Sequence, residues 1–530
     1  MGLWAKSVII FNAIREHGKQ SVRRLADRTG LSKSSVYRHL QAIDRRDRYP
    51  ESSLWDTEAG RTWLIRLVVA TLFVFGLKRG VGAETISAFF GHLHLASHVG
   101  CSPSALRRVI HTLERLILET ATAWEKEGVA HGEIRPVIGA VDETFLQRMI
   151  LVFMDLASGY LLMEEVAVDR RFDTWYARAN GRLKTLGTEV CYRVSDRAKA
   201  LVKLAHTGLG CLSIPDLFHL SHDLVKGYAL AIFGRLRQAQ RALEQAQQRL
   251  ETLPQNSQAD HAHLEQAQAW VADCMTSVHH WQGVRSTWRQ HLSNVSRILH
   301  PWRLVDSTRQ TSQEVEHQLQ AELQALETLL ATNGLPVKKG TLDKVRTQLA
   351  GVSALVDFWW QTVRQDVTQM AMTPRWTTWV EELLLPLMYW QTQLCRTRCP
   401  DQKAQIALVL QAVEEAFERH PCTRQLAPEV LSGWKSWAGE HARAFQRASS
   451  AVEGRNGYLS QMQHNHRGLP MRRYQVWTVL HNFDCRAADG TTPAARFFRR
   501  SFPDLFESVL SQIDEVPMPR QRRQAIAASD

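Results

Sequence analysis

The chain has little cysteine and no long apolar run, and each shortage excludes a class of protein. Its eight cysteines are scattered over 530 residues, a pattern that argues against a disulfide framework and favours a reducing cytoplasm. The most apolar run, residues 67–77, is too short to cross a bilayer and predicts a core helix. Because no amino-terminal secretion signal is visible either, we expect a cytoplasmic protein without a membrane partner.

Acidic residues are also in the minority. Lysine plus arginine number 65 against 53 for aspartate plus glutamate, so the formal net charge is +12. A basic excess favours a polyanionic partner, although by itself it does not choose between nucleic acid and a membrane surface. The length predicts two to four domains with a large buried core.

Residues 1–50 predict a helix-turn-helix DNA-binding domain. Ala26 is small where two helices would cross, Gly30 supplies the positive φ of the turn, and Ser32 can cap the next helix. The outer face of that helix would present the predicted DNA contacts, namely Lys33, Ser34, Ser35, Tyr37 and Arg38. A small helical bundle without DNA contact is the alternative. Residues 51–130 predict further helices, with a second helix-turn-helix and a packing role equally compatible with the pattern.

The hydrophobic period changes to that of strands in residues 131–229. Strands are predicted at 137–141, 149–156, 160–168, 189–195 and 211–214, with helices at 175–186 and 198–206. This is the element order of a ribonuclease H-like α/β core without its last helix. Residues 230–440 predict an all-helical insertion, residues 441–490 the second part of the core with the missing helix, and residues 491–530 a C-terminal tail. The predicted fold class is therefore multidomain, α+β with a helical insertion.

Three acidic residues stand where chemistry would be expected. Asp142 and Asp196 each end a predicted strand, and Glu453 opens a predicted helix. Carboxylates delivered in this way can gather two hard divalent cations, with Asp142 as the bridging ligand. Ordinary roles stay open for each: a strand end for Asp142, a helix cap or ion pair for Asp196, and replacement of Glu453 by another late glutamate such as Glu440.

The motifs around these acids resemble those of bacterial insertion-sequence transposases of the DDE type. The matching segments are residues 140–145, 155–160, 194–199, 215–219 and 450–456, and the resemblance covers roughly residues 15–225 and 440–485. It implies a catalytic and metal-binding triad of Asp142, Asp196 and Glu453, with two Mg²⁺ ions or Mn²⁺ as a substitute. It also implies double-stranded DNA as the partner, cleavage of element ends, joining of the 3′-hydroxyl to target DNA, and a homodimer on DNA in the bacterial nucleoid.

One position departs from that family. Some members carry a basic residue seven positions after the glutamate, where this chain has Ser460. Contact with the DNA backbone would then fall to Arg455, His464, His466 or Arg467, while Asn456 would orient Glu453. Two alternatives stay open: a transposase-derived DNA-binding protein without strand transfer, and a metal-dependent nuclease that cuts without joining.

Overall fold

Two main apolar cores organise the chain, a small one near the amino terminus and a large one whose buried residues extend from Leu64 to Val509. A third, minor cluster consists of Leu236, Ala239 and Val278. The structure is a computed structural model, and it describes residues 3–46, 49, 51–55, 57–130, 132, 134–146, 148–196, 198–253, 258–336, 339–447, 449–464, 471–487 and 489–519. The described part is helix-rich and contains one mixed β-sheet.

The small core belongs to three short helices, α1 (Leu3–His17), α2 (Val22–Thr29) and α3 (Lys33–Arg46). Ser21 caps α2 by accepting a hydrogen bond from the Arg24 backbone N–H, and Gly30 ends that helix with a φ of 67°. A left-handed φ of this kind favours glycine because a Cβ would clash there. The apolar side chains between the helices are Ile10, Leu25, Ala26, Val36 and Ile43. The module therefore has the turn and the packing that its sequence predicts.

The next helices are built into the large core. They are α4 (Ser52–Trp55), α5 (Glu58–Thr71) with a π-helical continuation over Leu72–Lys78, α6 (Ala83–His92) and α7 (Pro103–Val129). Glu58–Lys78 is 21 residues long and contains an 18-residue window with a mean hydropathy of 1.5, so by length and composition it passes as a membrane span. Half of that window is buried inside the protein. The helix is longer than the predicted run 67–77, and its inner face packs in the large core.

The sheet has five strands: β1 (Arg135–Leu146), β2 (Arg148–Asp155), β3 (Leu161–Ala167), β4 (Thr188–Ser195) and β5 (Leu212–Pro215). Their order is β3-β2-β1-β4-β5, so β1 is central. The pairs β1–β2 and β2–β3 are antiparallel, whereas β1–β4 and β4–β5 are parallel. Two helices connect the strands on the parallel side, α8 (Phe172–Thr185) and α9 (Lys199–Lys203), the latter followed by a π-helical turn.

The length of β1 corrects the prediction that this strand ends at Asp142. Pairing with β2 continues from Asp142 opposite Val152 to Leu146 opposite Arg148. Backbone hydrogen bonds to a neighbouring strand extend β1 to Leu146. The local sequence does not reveal this because Glu143 and Thr144 interrupt the apolar run.

The long central part of the chain is helical throughout its described residues. Its helices are α10 (Leu217–Glu251), α11 (Gln258–Ile298), α12 (Ser312–Thr332), α13 (Lys339–Gln369), α14 (Pro374–Trp379), α15 (Leu385–Arg396), α16 (Pro400–Arg419), α17 (Pro421–Gln425) and α18 (Pro428–Ala444). The first helix begins at Leu217, earlier than the predicted residue 230, because Leu217, Leu220 and Leu224 are buried in the large core. Trp302, Trp359, Trp379 and Trp390 are buried as well, so these tryptophans are core residues.

The chain then returns to the sheet through α19 (Ser450–His464) and α20 (Met471–Phe483), followed by α21 (Pro493–Phe498) and α22 (Leu505–Leu510). The prediction that residues 491–530 form only a tail is wrong for the described part. Helix α22 packs against α5 and α7, and the Gly100 backbone N–H donates to the Pro517 carbonyl oxygen at 2.5 Å. Residues 520–530 lie outside the described residues.

Candidate carboxylate site and DNA-binding face

Two strands and a helix bring the predicted acids to the carboxyl-terminal side of the β1–β4 pair. Strands β1 and β4 are parallel neighbours with Ala140 opposite Val194, so that register extends to Asp142 and Asp196. Asp196 follows the last residue of β4 directly. Helix α19 packs against β1 and β2, and Glu453 lies in its first turn. Residues far apart in the sequence thus lie together where the pairing of β1 with β4 ends.

Hydrogen bonds fix the aspartates. The Asn456 amide nitrogen donates to Asp142 Oδ2 at 2.7 Å, and the Glu143 backbone N–H donates to Asp142 Oδ1 at 2.9 Å. The Ala198 backbone N–H donates to Asp196 Oδ1 at 2.9 Å. Asn456 therefore orients Asp142 directly, rather than Glu453 as the sequence suggested.

The pKa values of Asp142 and Glu143 are raised, in part because other carboxylates lie nearby. Burial raises the pKa of Asp142 to about 7, and the negative charges of Glu453, Glu143 and Asp196 contribute to the same shift. Burial also raises the pKa of Glu143, with Asp196 adding to it and Arg170 opposing it. Because successive strand residues point to opposite faces, Glu143 is on the side of the sheet away from Asp142. The negative charges of Glu453, Glu143 and Asp196 thus act on Asp142, and that of Asp196 acts on Glu143 as well.

Glu453 is accessible and has a histidine beside it. His219 Nε2 lies 3.5 Å from Glu453 Oε1 and 4.0 Å from Asp216 Oδ2, and the side chains of His219 and Glu453 are 36% and 38% exposed. The other late glutamate weighed from the sequence, Glu440, pairs instead with Arg499 at 2.8 Å. Of these two glutamates, Glu453 is the one whose charge acts on Asp142.

The donor set suits a hard divalent cation, since carboxylate oxygens are the ligands that Mg²⁺ and Mn²⁺ prefer. Within the residues that the structure describes, no three His, Cys, Asp or Glu side chains form a ready-made metal cluster. The acids are near enough to raise the pKa of Asp142 without sharing one coordination sphere. A cation bound here would need these side chains to rotate toward it, and it would relieve their mutual repulsion.

Helix α19 is held at its start by a buried aspartate. The Ser449 backbone N–H donates to Asp216 Oδ2 at 3.1 Å, and the Ser449 hydroxyl donates to the same oxygen. Asp216 follows β5 directly, and its own backbone N–H donates to the Ser195 carbonyl oxygen at 3.0 Å. This contact was missed in the sequence, where the segment 215–219 gave the only signal.

Tyr192 joins the end of the helical region α10–α18 to the sheet. Its hydroxyl donates to the Ala444 carbonyl oxygen at 2.7 Å and accepts from the Gln446 backbone N–H at 2.9 Å. Nearby, the Leu217 backbone N–H donates to the Arg447 carbonyl oxygen at 3.0 Å. The beginning and the end of this helical region therefore meet at the β4–β5 side of the sheet.

The predicted DNA contact of Arg455 is wrong. Its side chain is 4% exposed and forms an ion pair with Glu164, whose side chain is fully buried. A guanidinium that is enclosed and paired in this way is not available to a phosphate group. His464, at the last turn of α19, is exposed, whereas His466 and Arg467 lie outside the described residues.

Most of the predicted recognition face is exposed. Lys33, Ser34, Tyr37 and Arg38 are accessible on α3, and Tyr37 is 54% exposed. Ser35 is a correction: it is 8% exposed and lies on the inner side of the helix, where its backbone N–H donates to Ser32 Oγ. Ser35 thus packs within the module and offers no surface to DNA.

Comparisons with known families address the two ends of the chain. Residues 5–46 match the sequence model of the IclR helix-turn-helix domain. The amino-terminal module is a helix-turn-helix DNA-binding domain. Residues 380–525 match a family of unknown function, DUF6399, and this match includes Glu453 and the whole of α19. No curated protein matches the chain. The matches support DNA binding and assign no reaction.

Proposed function

We propose that this protein is a DDE-type DNA transposase, in which Asp142, Asp196 and Glu453 form the catalytic site. The observation that carries the proposal is the convergence of these acids at the carboxyl-terminal side of the β1–β4 pair. Two of them come from these parallel strands, and the third comes from a helix far away in the sequence. Burial raises the pKa of Asp142, and the charges of Glu453 and Asp196 raise it further. An excess of carboxylates at one site is the arrangement that two-cation phosphodiester chemistry uses.

The sheet supports a ribonuclease H-like core as part of the same proposal. Its order β3-β2-β1-β4-β5, with the first three strands antiparallel and the last two pairs parallel, follows the element order expected from the resemblance. The helical insertion between β5 and α19 accounts for the late position of the third acid. The core would then be interrupted and resumed without any change in its sheet.

The roles of the residues follow from their positions. Asp142, between the other two acids, would be shared by two Mg²⁺ ions, while Asp196 and Glu453 would each hold one. When bound, such ions supply charge neutralisation at the phosphoryl group and activation of the attacking oxygen. Asn456 keeps Asp142 oriented, and His219 lies beside Glu453, on the accessible side where a phosphate would enter.

Recognition of DNA would come from the separate helix-turn-helix module. It has its own apolar core, so it can fit a major groove while the sheet and the insertion hold the reacting strand. The net charge of +12 favours phosphate contacts elsewhere on the protein. Bringing two element ends together would require a dimer assembled on DNA.

The test uses the full chain with duplexes that carry the sequences flanking its gene, a plasmid target, and Mg²⁺, Mn²⁺ or a chelator. Cleavage and joining are scored on gels for the wild type and for Asp142→Asn, Asp196→Asn and Glu453→Gln. Glu189→Gln is the matched control, since it removes an exposed carboxylate from the opposite end of β4. We expect the three site variants to lose both reactions while retaining DNA binding.

Each other outcome has a definite meaning. Cutting without joining would support a nuclease in place of a transposase. Binding with neither reaction, in every metal, would support a DNA-binding protein that has lost strand transfer. Unchanged cleavage by the Asp142 and Asp196 variants would remove the carboxylate site from the proposal altogether.

A further inference from the structure

We propose that the buried ion pair between Arg455 and Glu164 positions Glu453 for metal binding, an inference that rests on the proposed function. Arg455 lies two residues after Glu453 on α19, and Glu164 lies on β3, at the outer edge of the sheet. The pair thus ties the helix that carries the third acid to a strand that carries none of the three.

The geometry of the pair fixes orientation as well as distance. Arg455 Nε donates to Glu164 Oε2 at 2.6 Å, and Arg455 Nη2 donates to Glu164 Oε1 at 2.8 Å. The two side chains are 4% and 0% exposed. A planar guanidinium that makes two parallel hydrogen bonds to a carboxylate permits little rotation, unlike an apolar contact or a single lysine bond.

Helix geometry transmits this constraint to Glu453. Each residue of an α-helix advances about 100° around the axis, so Arg455 and Glu453 point in directions about 200° apart. When Arg455 is anchored in the core, Glu453 is turned toward the accessible side, where His219 lies. Asn456 and Ser449 also hold this helix, through Asp142 and Asp216, but the Arg455–Glu164 pair is the contact with two parallel hydrogen bonds between charged groups.

A third group completes the anchor. The Thr478 hydroxyl, on α20, donates to Glu164 Oε1 at 3.1 Å. Helix α20 packs against β3, so Glu164 is held by its own strand and by α20 as well as by Arg455. The position of the Glu164 carboxylate therefore does not depend on α19 alone.

The chain offers a matched control in a second buried pair. Arg473 Nε donates to Glu114 Oε1 at 2.6 Å, and these side chains are 11% and 1% exposed. This pair has the same chemistry and similar burial, but it joins α20 to α7 instead of α19 to the sheet. Breaking it should affect stability without turning Glu453.

The experiment measures metal affinity through the thermal unfolding midpoint of the full chain as Mn²⁺ is added. The variants are Glu164→Gln, Arg455→Lys, the control Glu114→Gln, and a double variant with Glu164→Met and Arg455→Met. The double variant leaves no uncompensated buried charge, so it separates positioning from stability. Asp142→Asn reports whether the Mn²⁺ response belongs to the carboxylate site, and the Mg²⁺ dependence of DNA cleavage is recorded in parallel.

We expect the Mn²⁺ concentration for half-maximal stabilisation to rise by about 10–100-fold in Glu164→Gln and in the double variant, the range found when groups that orient metal ligands are removed. Arg455→Lys should give a smaller rise because it keeps the charge and loses the two-point contact. Glu114→Gln should melt earlier with an unchanged Mn²⁺ midpoint. DNA binding by the amino-terminal module should stay at the wild-type level in all variants.

Two failures can be told apart. If the wild type responds to Mn²⁺ through Asp142 but the double variant keeps the wild-type midpoint, the positioning role is overturned and the proposed function stands. If the wild type and Asp142→Asn give the same result, the metal site itself is absent and both proposals fall. If Glu164→Gln does not fold, the double variant and Arg455→Lys decide the question.

Discussion

Removing the charge of Asp142 should stabilise the metal-free protein at alkaline pH. Burial and the neighbouring carboxylates raise the pKa of Asp142 from 3.8 to about 7. The folded state therefore binds a proton that the unfolded state has already released, and stability falls as the pH rises from about 4 to about 7. Above pH 7 the full penalty of the ionised form is present, and Asp142→Asn has no such penalty.

The size of the effect follows from the same quantities. A pKa of about 7 against 3.8 corresponds to a penalty of about 4 kcal/mol above pH 7. Partial exposure of Asp142 screens part of it, and weaker hydrogen bonds from Asn456 and Glu143 to a neutral group cost about 1 kcal/mol. Asn456 Oδ1 has no partner among the described residues, so its amide can turn to accept from the new amide group. We expect a net gain of about 1–3 kcal/mol.

The assay is thermal unfolding of the wild type, Asp142→Asn and the control Glu189→Gln in chelator, from pH 4 to pH 8. The advantage of Asp142→Asn should be absent near pH 4 and complete at pH 8, while the control follows the wild type. Adding Mn²⁺ should reverse the order, since a ligand at 1,000 times its Kd stabilises by about 4.1 kcal/mol and only the wild type has the full donor set. An Asp142→Asn protein that is less stable at pH 8 in chelator would refute the repulsive cluster.

Three further changes have defined outcomes. Tyr192→Phe removes the hydroxyl that bonds the Gln446 backbone, and it should cost about 1–3 kcal/mol in urea unfolding, whereas an unchanged midpoint would mean that the end of the insertion is held by other contacts. Lys33→Ala should reduce the preference for selected over random duplex in anisotropy titrations by up to about 1–3 kcal/mol. Ser35→Ala should leave this preference unchanged, because Ser35 is buried. An equal loss of affinity for both duplexes would identify Lys33 as a phosphate contact. Burial lowers the pKa of His481 to about 4. The unfolded state therefore takes up the proton first, and stability falls as the pH drops from about 6.5 to about 4. His481→Gln should flatten this part of the pH profile of unfolding, and an unchanged profile would contradict the prediction.

The local sequence predicts an element correctly wherever the interactions that form the element lie within a few residues of one another. The amino-terminal module shows this, because Gly30 ends α2 and Ser32 caps α3 by contacts within a few residues. The predicted strands were found for a similar reason, since their apolar residues fill the core on either side of the sheet. The observed strand ends differ from the predicted ones by a few residues at most, except in β1, where pairing with β2 continues past Glu143 and Thr144 to Leu146.

The sequence by itself determined the helix-turn-helix module, the order of the strands along the chain, and the acids at the ends of two apolar segments. Only the tertiary structure decided which late glutamate lies beside them and what surrounds it. Arg455 and Glu164 are 291 positions apart, and Asn456 and Asp142 are 314 positions apart. No local pattern reports such pairings, because a charged side chain has the same sequence signature whether it faces solvent or a buried partner. The charge of Arg455 therefore predicts a DNA contact, whereas the fold places its side chain in the core beside Glu164. A buried charge is stable only where it meets an opposite charge.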